Sequence, residues 1–146
     1  MVQRTVDLSR EEQQNVLVRL KQAQKQDGYV TEKAIAEIAE STGISLGDVY
    51  GIATFYTFLS VKPIGRNVIR ICKSLPCHLK EVESVIETLT RILGVGPGET
   101  TPDGRFTLEL TNCIGACDQA PAMLVNSELH GNLSPERIPG ILESYK

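Results

Sequence analysis

The only four cysteines of this chain stand in two tight pairs: Cys72 and Cys77 in ICKSLPCHL, spaced C-x4-C, and Cys113 and Cys117 in NCIGACDQAP, spaced C-x3-C. If the pairs act together, the fold must bring two loops side by side. Four thiolates can complete one metal site. Short spacing within a pair lets two sulfurs reach one iron or its neighbour, so spacing favours a [2Fe–2S] cluster, which takes two thiolates per iron. Zinc is the main rival because it also takes four cysteines, although its usual C-x2-C knuckle is absent from both pairs. Two disulfides fit a reducing compartment badly. Thioredoxin-like thiol exchange normally uses C-x-x-C, which is also absent. A zinc-stabilised interaction module and a thiol redox sensor remain the alternatives.

The N-terminus, MVQRTVDLSREEQ, lacks an apolar secretory core and carries early acids, against a signal or transit peptide. The longest apolar stretch, residues 49–61, is interrupted by Thr54, Thr57 and Ser60 and is shorter than the roughly 20 residues that cross a bilayer. The expectation is a cytoplasmic protein without membrane insertion. A net charge of -3 argues against a general nucleic-acid binder.

Cap, helix and glycine recur through residues 1–61, which predicts an N-terminal helical bundle. Ser9 with Glu12, flanked by Leu8, reads as a helix start, and Val16, Leu17 and Leu20 follow at helical spacing up to Asp27-Gly28. Thr31 starts a second helix with Ala34, Ile35, Ile38 and Ala39 on one face and Gly43 at its end. Ser45 with Asp48 starts a third, bearing Val49, Ile52, Phe55 and Tyr56. Residues 62–146 change pattern. Residues 67–72 read as a buried strand and residues 78–93 as a helix with Leu79, Val82, Ile86, Leu89 and Leu93 inward. A Gly/Pro/Thr loop spans 94–104, and strands are expected at 106–110 and 122–125. A helix is expected over 132–145, capped by Ser134, with Pro135 first and with Pro139-Gly140 as a kink or split. The fold class is therefore α+β or α/β, a helical bundle followed by a reduced thioredoxin-like β-α-β-β-α domain. Both cysteine pairs fall in loops at strand ends.

Gly115, between Cys113 and Cys117, lets the backbone wrap close to a cluster and aim an N–H at sulfur. Residues 61–80 hold Lys62, Arg66, Arg70, Lys73 and Lys80 and no acid. Most of these read as ordinary solvated charges; Lys73, between the first two cysteines, is the best exception. His78 adjoins Cys77, but Rieske centres use two histidines and His130 lies in another loop, so His78 reads as a helix-start residue. Residues 94–98 are Gly-rich without the strand–GxGxxG–helix context or a P-loop lysine, hence a loop.

On these residues the chain resembles the thioredoxin-like [2Fe–2S] subunits of NADH-dehydrogenase-type complexes. The blocks that carry the resemblance are GIATFYTFL, KPIGRNVIRIC, GETTPDGRFTLEL and NCIGACDQAPAMLVN, in order over nearly the whole chain. The family includes the 24-kDa-type subunit of NADH:quinone oxidoreductase and small subunits of NAD(P)-linked formate dehydrogenases and hydrogenases. Cys72, Cys77, Cys113 and Cys117 fall on the family's four ligand positions, which implies one [2Fe–2S] cluster. The resemblance also implies a partner: an FMN- and NAD(P)H-binding flavoprotein subunit with a [4Fe–4S] cluster, on which the N-terminal helices dock. Further Fe–S, hydrogenase or dehydrogenase subunits are implied beside it. GIATFYTFL is a candidate interface strip, with plain bundle core as the other reading for Ile52 and Phe55. The chain lacks a C-terminal extension, a lean toward soluble bacterial dehydrogenases or hydrogenases. It would be an electron-transfer subunit of an NAD(P)H-dependent oxidoreductase, with no turnover and no catalytic residue of its own.

Overall fold

The computed structural model describes residues 15–145. Within them the chain divides between Pro63 and Ile64 into two compact units.

In the first unit, α1 (Val16–Asp27) is capped by Asn15, whose side-chain oxygen accepts from Leu17 N–H at 3.0 Å and Val18 N–H at 3.3 Å. The start expected at Ser9, with Leu8 and Glu12, lies outside the described residues. Gly28 ends α1 in the left-handed region at φ 82°. Thr31 caps α2 (Glu32–Thr42) and Gly43 closes it. Ser45 caps α3 (Leu46–Phe55) through Asp48 N–H at 3.1 Å. Leu20, Val30, Ile35, Ile38, Val49 and Ala53 are central to this unit's core. Phe55 departs from the core reading: it is 76% exposed. The inward line of α3 is Val49 and Ala53, four residues apart. At 3.6 residues per turn Phe55 sits about 160° around the helix from Ala53, so stepping by threes from Val49 leads off the core face.

In the second unit, β1 (Asn67–Cys72) and β2 (Phe106–Thr111) run parallel, in register from Asn67↔Phe106 to Cys72↔Thr111. β3 (Met123–Val125) pairs antiparallel with β1, and β4 (Glu128–His130) with β3. Among the described residues the mixed sheet has four strands in the order β2-β1-β3-β4. A strand paired on both sides and buried along nearly its whole length reads as a continuous apolar run, which is why NVIRIC was legible. β4 was not expected. Its three residues, ELH, are mostly exposed, and it is reached through Asn126 in the left-handed region at φ 57°.

The helix expected over residues 78–93 is two helices, α4 (Leu75–His78) and α5 (Val82–Leu93), with Glu81 between them at φ 61°. The break resets the helical phase. Leu79, expected inward, is 72% exposed, whereas Val82, Val85 and Leu89 are buried on the sheet. The last helix, α6, covers only Ile138–Glu143. Residues 134–137 form a turn closed by Arg137 N–H to Ser134 O at 3.0 Å, so Ser134 is not the cap and Pro135 not the first helical residue. Pro139 lies in the first turn of α6, where its missing N–H costs nothing. Among the described residues no helix is long and apolar enough to cross a membrane.

Candidate metal centre

Each cysteine pair begins at the same end of the two parallel strands. Cys72 is the last residue of β1, opposite Thr111, the last of β2, and Cys113 follows two residues later. Lys73 N–H donates to Thr111 O at 3.0 Å and Cys72 N–H to Ala122 O at 3.2 Å, so both loops leave the sheet already fastened to their neighbours. Cys77 sits in α4, whose first turn Pro76 can occupy without loss of a hydrogen bond. Cys117 opens a short 3₁₀ turn, Cys117–Gln119. All four cysteines are free thiols; Cys72 and Cys77 are buried, Cys113 and Cys117 exposed.

Cys113 Sγ and Cys117 Sγ lie 3.6 Å apart. Two thiolates on one tetrahedral metal, each about 2.3 Å from it, are separated by about 3.8 Å, so this pair is spaced to share one metal. Gly115, at φ 81°, turns its N–H onto Cys113 Sγ at 3.4 Å, as expected of a glycine wrapped around a thiolate. The Cys72 and Cys77 thiols are close enough to shift each other's proton affinity. Among the described residues no three His, Cys, Asp or Glu side chains gather to hold a single ion. Four free thiols, one pair with its sulfurs 3.6 Å apart, are a donor set that fits a two-iron cluster.

The electrostatics differ along the set. Burial pushes the Cys72 thiol up, but hydrogen bonding to the Ser74 backbone and hydroxyl, the Cys77 thiol and the Ile114 backbone outweighs it, and Cys72 is lowered from its ordinary value. Burial raises Cys77 against a hydrogen bond from the Ala122 backbone, with the neighbouring Cys72 and Cys117 charges adding to the rise. Cys117 is raised by its contact with Cys113, then by desolvation and by the charges of Cys113, Cys72 and Asp118. These interactions join residues of both loops, as one shared site requires. Sequence reasoning missed the Ser74, Ile114 and Ala122 backbone groups, which carry no side-chain signal.

His78 ends α4 rather than starting a helix, and its Nδ1 pairs with Glu83. His130 binds the Tyr145 hydroxyl at 2.7 Å. Lys62, Arg66, Lys73 and Lys80 are exposed. Arg70 contradicts the solvated reading: it is buried, with its Nε 3.0 Å from Glu109 Oε2.

The sequence matches the thioredoxin-like [2Fe–2S] ferredoxin family over residues 2–146. It is 46% identical to a subunit of the NADH-quinone oxidoreductase of Escherichia coli strain K12 over 127 residues, 87% of this chain and 76% of that one. It is 44% identical to the subunit of the same name from Pseudomonas aeruginosa over 126 residues, 86% of this chain and 76% of that one. Among solved structures, a chain of the NAD+-reducing [NiFe]-hydrogenase in the air-oxidized state superposes with a TM-score of 0.77 at 29% identity. The match covers 92% of this chain and only 24% of that one. The helices and mixed sheet are thus the thioredoxin-like fold expected from the strand and helix pattern.

Proposed function

Because this chain belongs to the thioredoxin-like [2Fe–2S] ferredoxin family, we propose that Cys72, Cys77, Cys113 and Cys117 bind its [2Fe–2S] cluster and that it passes electrons within an NAD(P)H-linked oxidoreductase. The observation that carries the ligand assignment is that both cysteine pairs begin at the same end of β1 and β2, one pair with its sulfurs 3.6 Å apart. When bound, the cluster supplies a one-electron carrier. Cys72 and Cys77 would hold one iron on the buried side. Cys113 and Cys117 would hold the other on the exposed side, open to a partner. The 46% identity to the quinone-reductase subunit and the structural likeness to the hydrogenase chain both support a subunit of such a complex.

The test is metal analysis with an EPR spectrum of the dithionite-reduced, anaerobically purified protein. Two irons per chain and one S = 1/2 signal are expected of a single [2Fe–2S] centre. Stoichiometric zinc in a colourless, EPR-silent protein would end the proposal.

The partner in this reading is an NAD(P)H-oxidising flavoprotein subunit, and it works in the cytoplasm. The first unit exposes Phe55 (76%), Tyr50 (50%), Phe58 (47%) and Tyr56 (42%). Such aromatics form the energetic centre of interfaces when a partner covers them. The double substitution Phe55→Ser with Phe58→Ser is expected to reduce co-purification with the flavoprotein about tenfold or more, with the EPR spectrum unchanged. Undiminished co-purification would remove this face from the interface.

A further inference from the structure

Among the described residues Arg70 is the one charged residue in the buried set, 6% exposed. It stands in register with Glu109 across β1 and β2, Nε to Oε2 3.0 Å, an ion pair rather than an aligned hydrogen bond. The Glu109 side chain is 26% exposed. Alternate residues of a strand share a face, so Arg70 lies on the face of Cys72, and Glu109 on that of Thr111, which leads to Cys113. The pair is therefore one same-face step, about 6.8 Å along the strands, behind the point where both cysteine loops leave the sheet. A buried ion pair is weak evidence for stability, since an apolar pair often serves as well. Its position behind four thiolates gives it an electrostatic role instead. Arg70 is permanently charged and buried, while solvent reaches and screens part of Glu109. The field at the thiolates is then that of a partly offset cation.

We propose that Arg70, with Glu109 as its counter-charge, sets the reduction potential of the cluster, an inference that rests on the ligand assignment above. Arg70 favours the reduced, more negative form and Glu109 moderates it. The redox step adds one electron from dithionite and requires no proton transfer and no change of bonding in the pair. Both side chains act through charge and touch no reacting atom, so they are positioning residues.

The test is a potentiometric titration, followed by EPR, of the full cluster-loaded chain and its Glu109→Gln, Arg70→Gln and Arg70→Lys variants. Glu109→Gln is expected to raise the ratio of reduced to oxidised protein at fixed potential about tenfold, which is about 59 mV for a one-electron couple. Arg70→Gln should lower it by a larger factor, since the buried charge is the less screened of the two, and Arg70→Lys should stay near wild type. A purely structural pair would alter cluster content or unfolding temperature without shifts of opposite sign. If Arg70→Gln does not accumulate, Glu109→Gln, nearly isosteric and partly exposed, decides alone. A Glu109→Gln ratio that stays within about twofold of wild type, or that falls, overturns the proposal while leaving the ligand assignment intact. So does an Arg70→Lys midpoint that drops as far as that of Arg70→Gln. Wild-type protein without a reducible two-iron signal overturns the ligand assignment itself.

Discussion

Cys113→Ser is expected to abolish the native cluster and leave the fold standing. Cys113 is exposed, lies two residues beyond β2 and donates nothing to either apolar core. A surface substitution of this kind shifts stability by only about 0.5 kcal/mol in either direction. The serine hydroxyl stays protonated near neutral pH and replaces a thiolate poorly, so one iron loses half of its protein ligands. Cys117→Ser should behave alike. Cys77→Ser should differ, because Cys77 is 2% exposed and packs within the core. There the hydroxyl adds a penalty of about 1–3 kcal/mol if it finds no partner, and the chain loses stability together with the cluster. Iron and sulfide content, visible absorption and thermal unfolding of the iron-free proteins separate the two effects. A Cys113→Ser protein with the wild-type spectrum would mean that the ligand set is wrong.

Leu108→Ala is expected to be the most damaging of the apolar truncations. Leu108 is fully buried in the middle of β2, paired in register with Ile69 and packed in the same core as Val85, Leu89 and Ile138. Removing such a side chain costs about 2–5 kcal/mol, lost transfer energy plus the cavity left behind. For a domain of this size that lowers the unfolding midpoint by about 10–20 °C or more. Leu110→Ala, two residues on and 38% exposed, is the control and should cost under about 1 kcal/mol. Equal losses in the two variants would show that the sheet does not bury β2 as described. Because β2 holds the Cys113 loop in register with Cys72, the Leu108→Ala protein should also release iron at a lower temperature than Leu110→Ala.

Much of the fold was legible in the sequence because its signals are local. Thr31, Ser45, Gly28 and Gly43 mark helix ends through bonds made within a few residues of themselves. NVIRIC announced a doubly covered strand by composition alone, and its bounds are those of β1. The misreadings fell where local pattern was interrupted or outweighed. Leu79 kept its apolar character, but Glu81 in the left-handed region took it out of phase with α5. Pro139 moved the start of α6 past Ser134 and Pro135. Phe55 carries an apolar side chain on the outer side of α3, and hydrophobicity by itself does not say whether such a residue meets core or partner.

By itself the sequence determined the inventory: four cysteines as candidate ligands, a glycine between the second two, a helical first part and a mixed second part. Tertiary structure decided how that inventory is used. Parallel pairing of β1 with β2 brings both cysteine loops to one end of the sheet, and that pairing depends on contacts between residues far apart in the chain. It also decided that Arg70 is enclosed beside Glu109 while Lys73 stays in solvent. A charge behaves differently in those two settings because burial strips away water and the screening it provides. No spacing along a chain records which setting a residue will occupy.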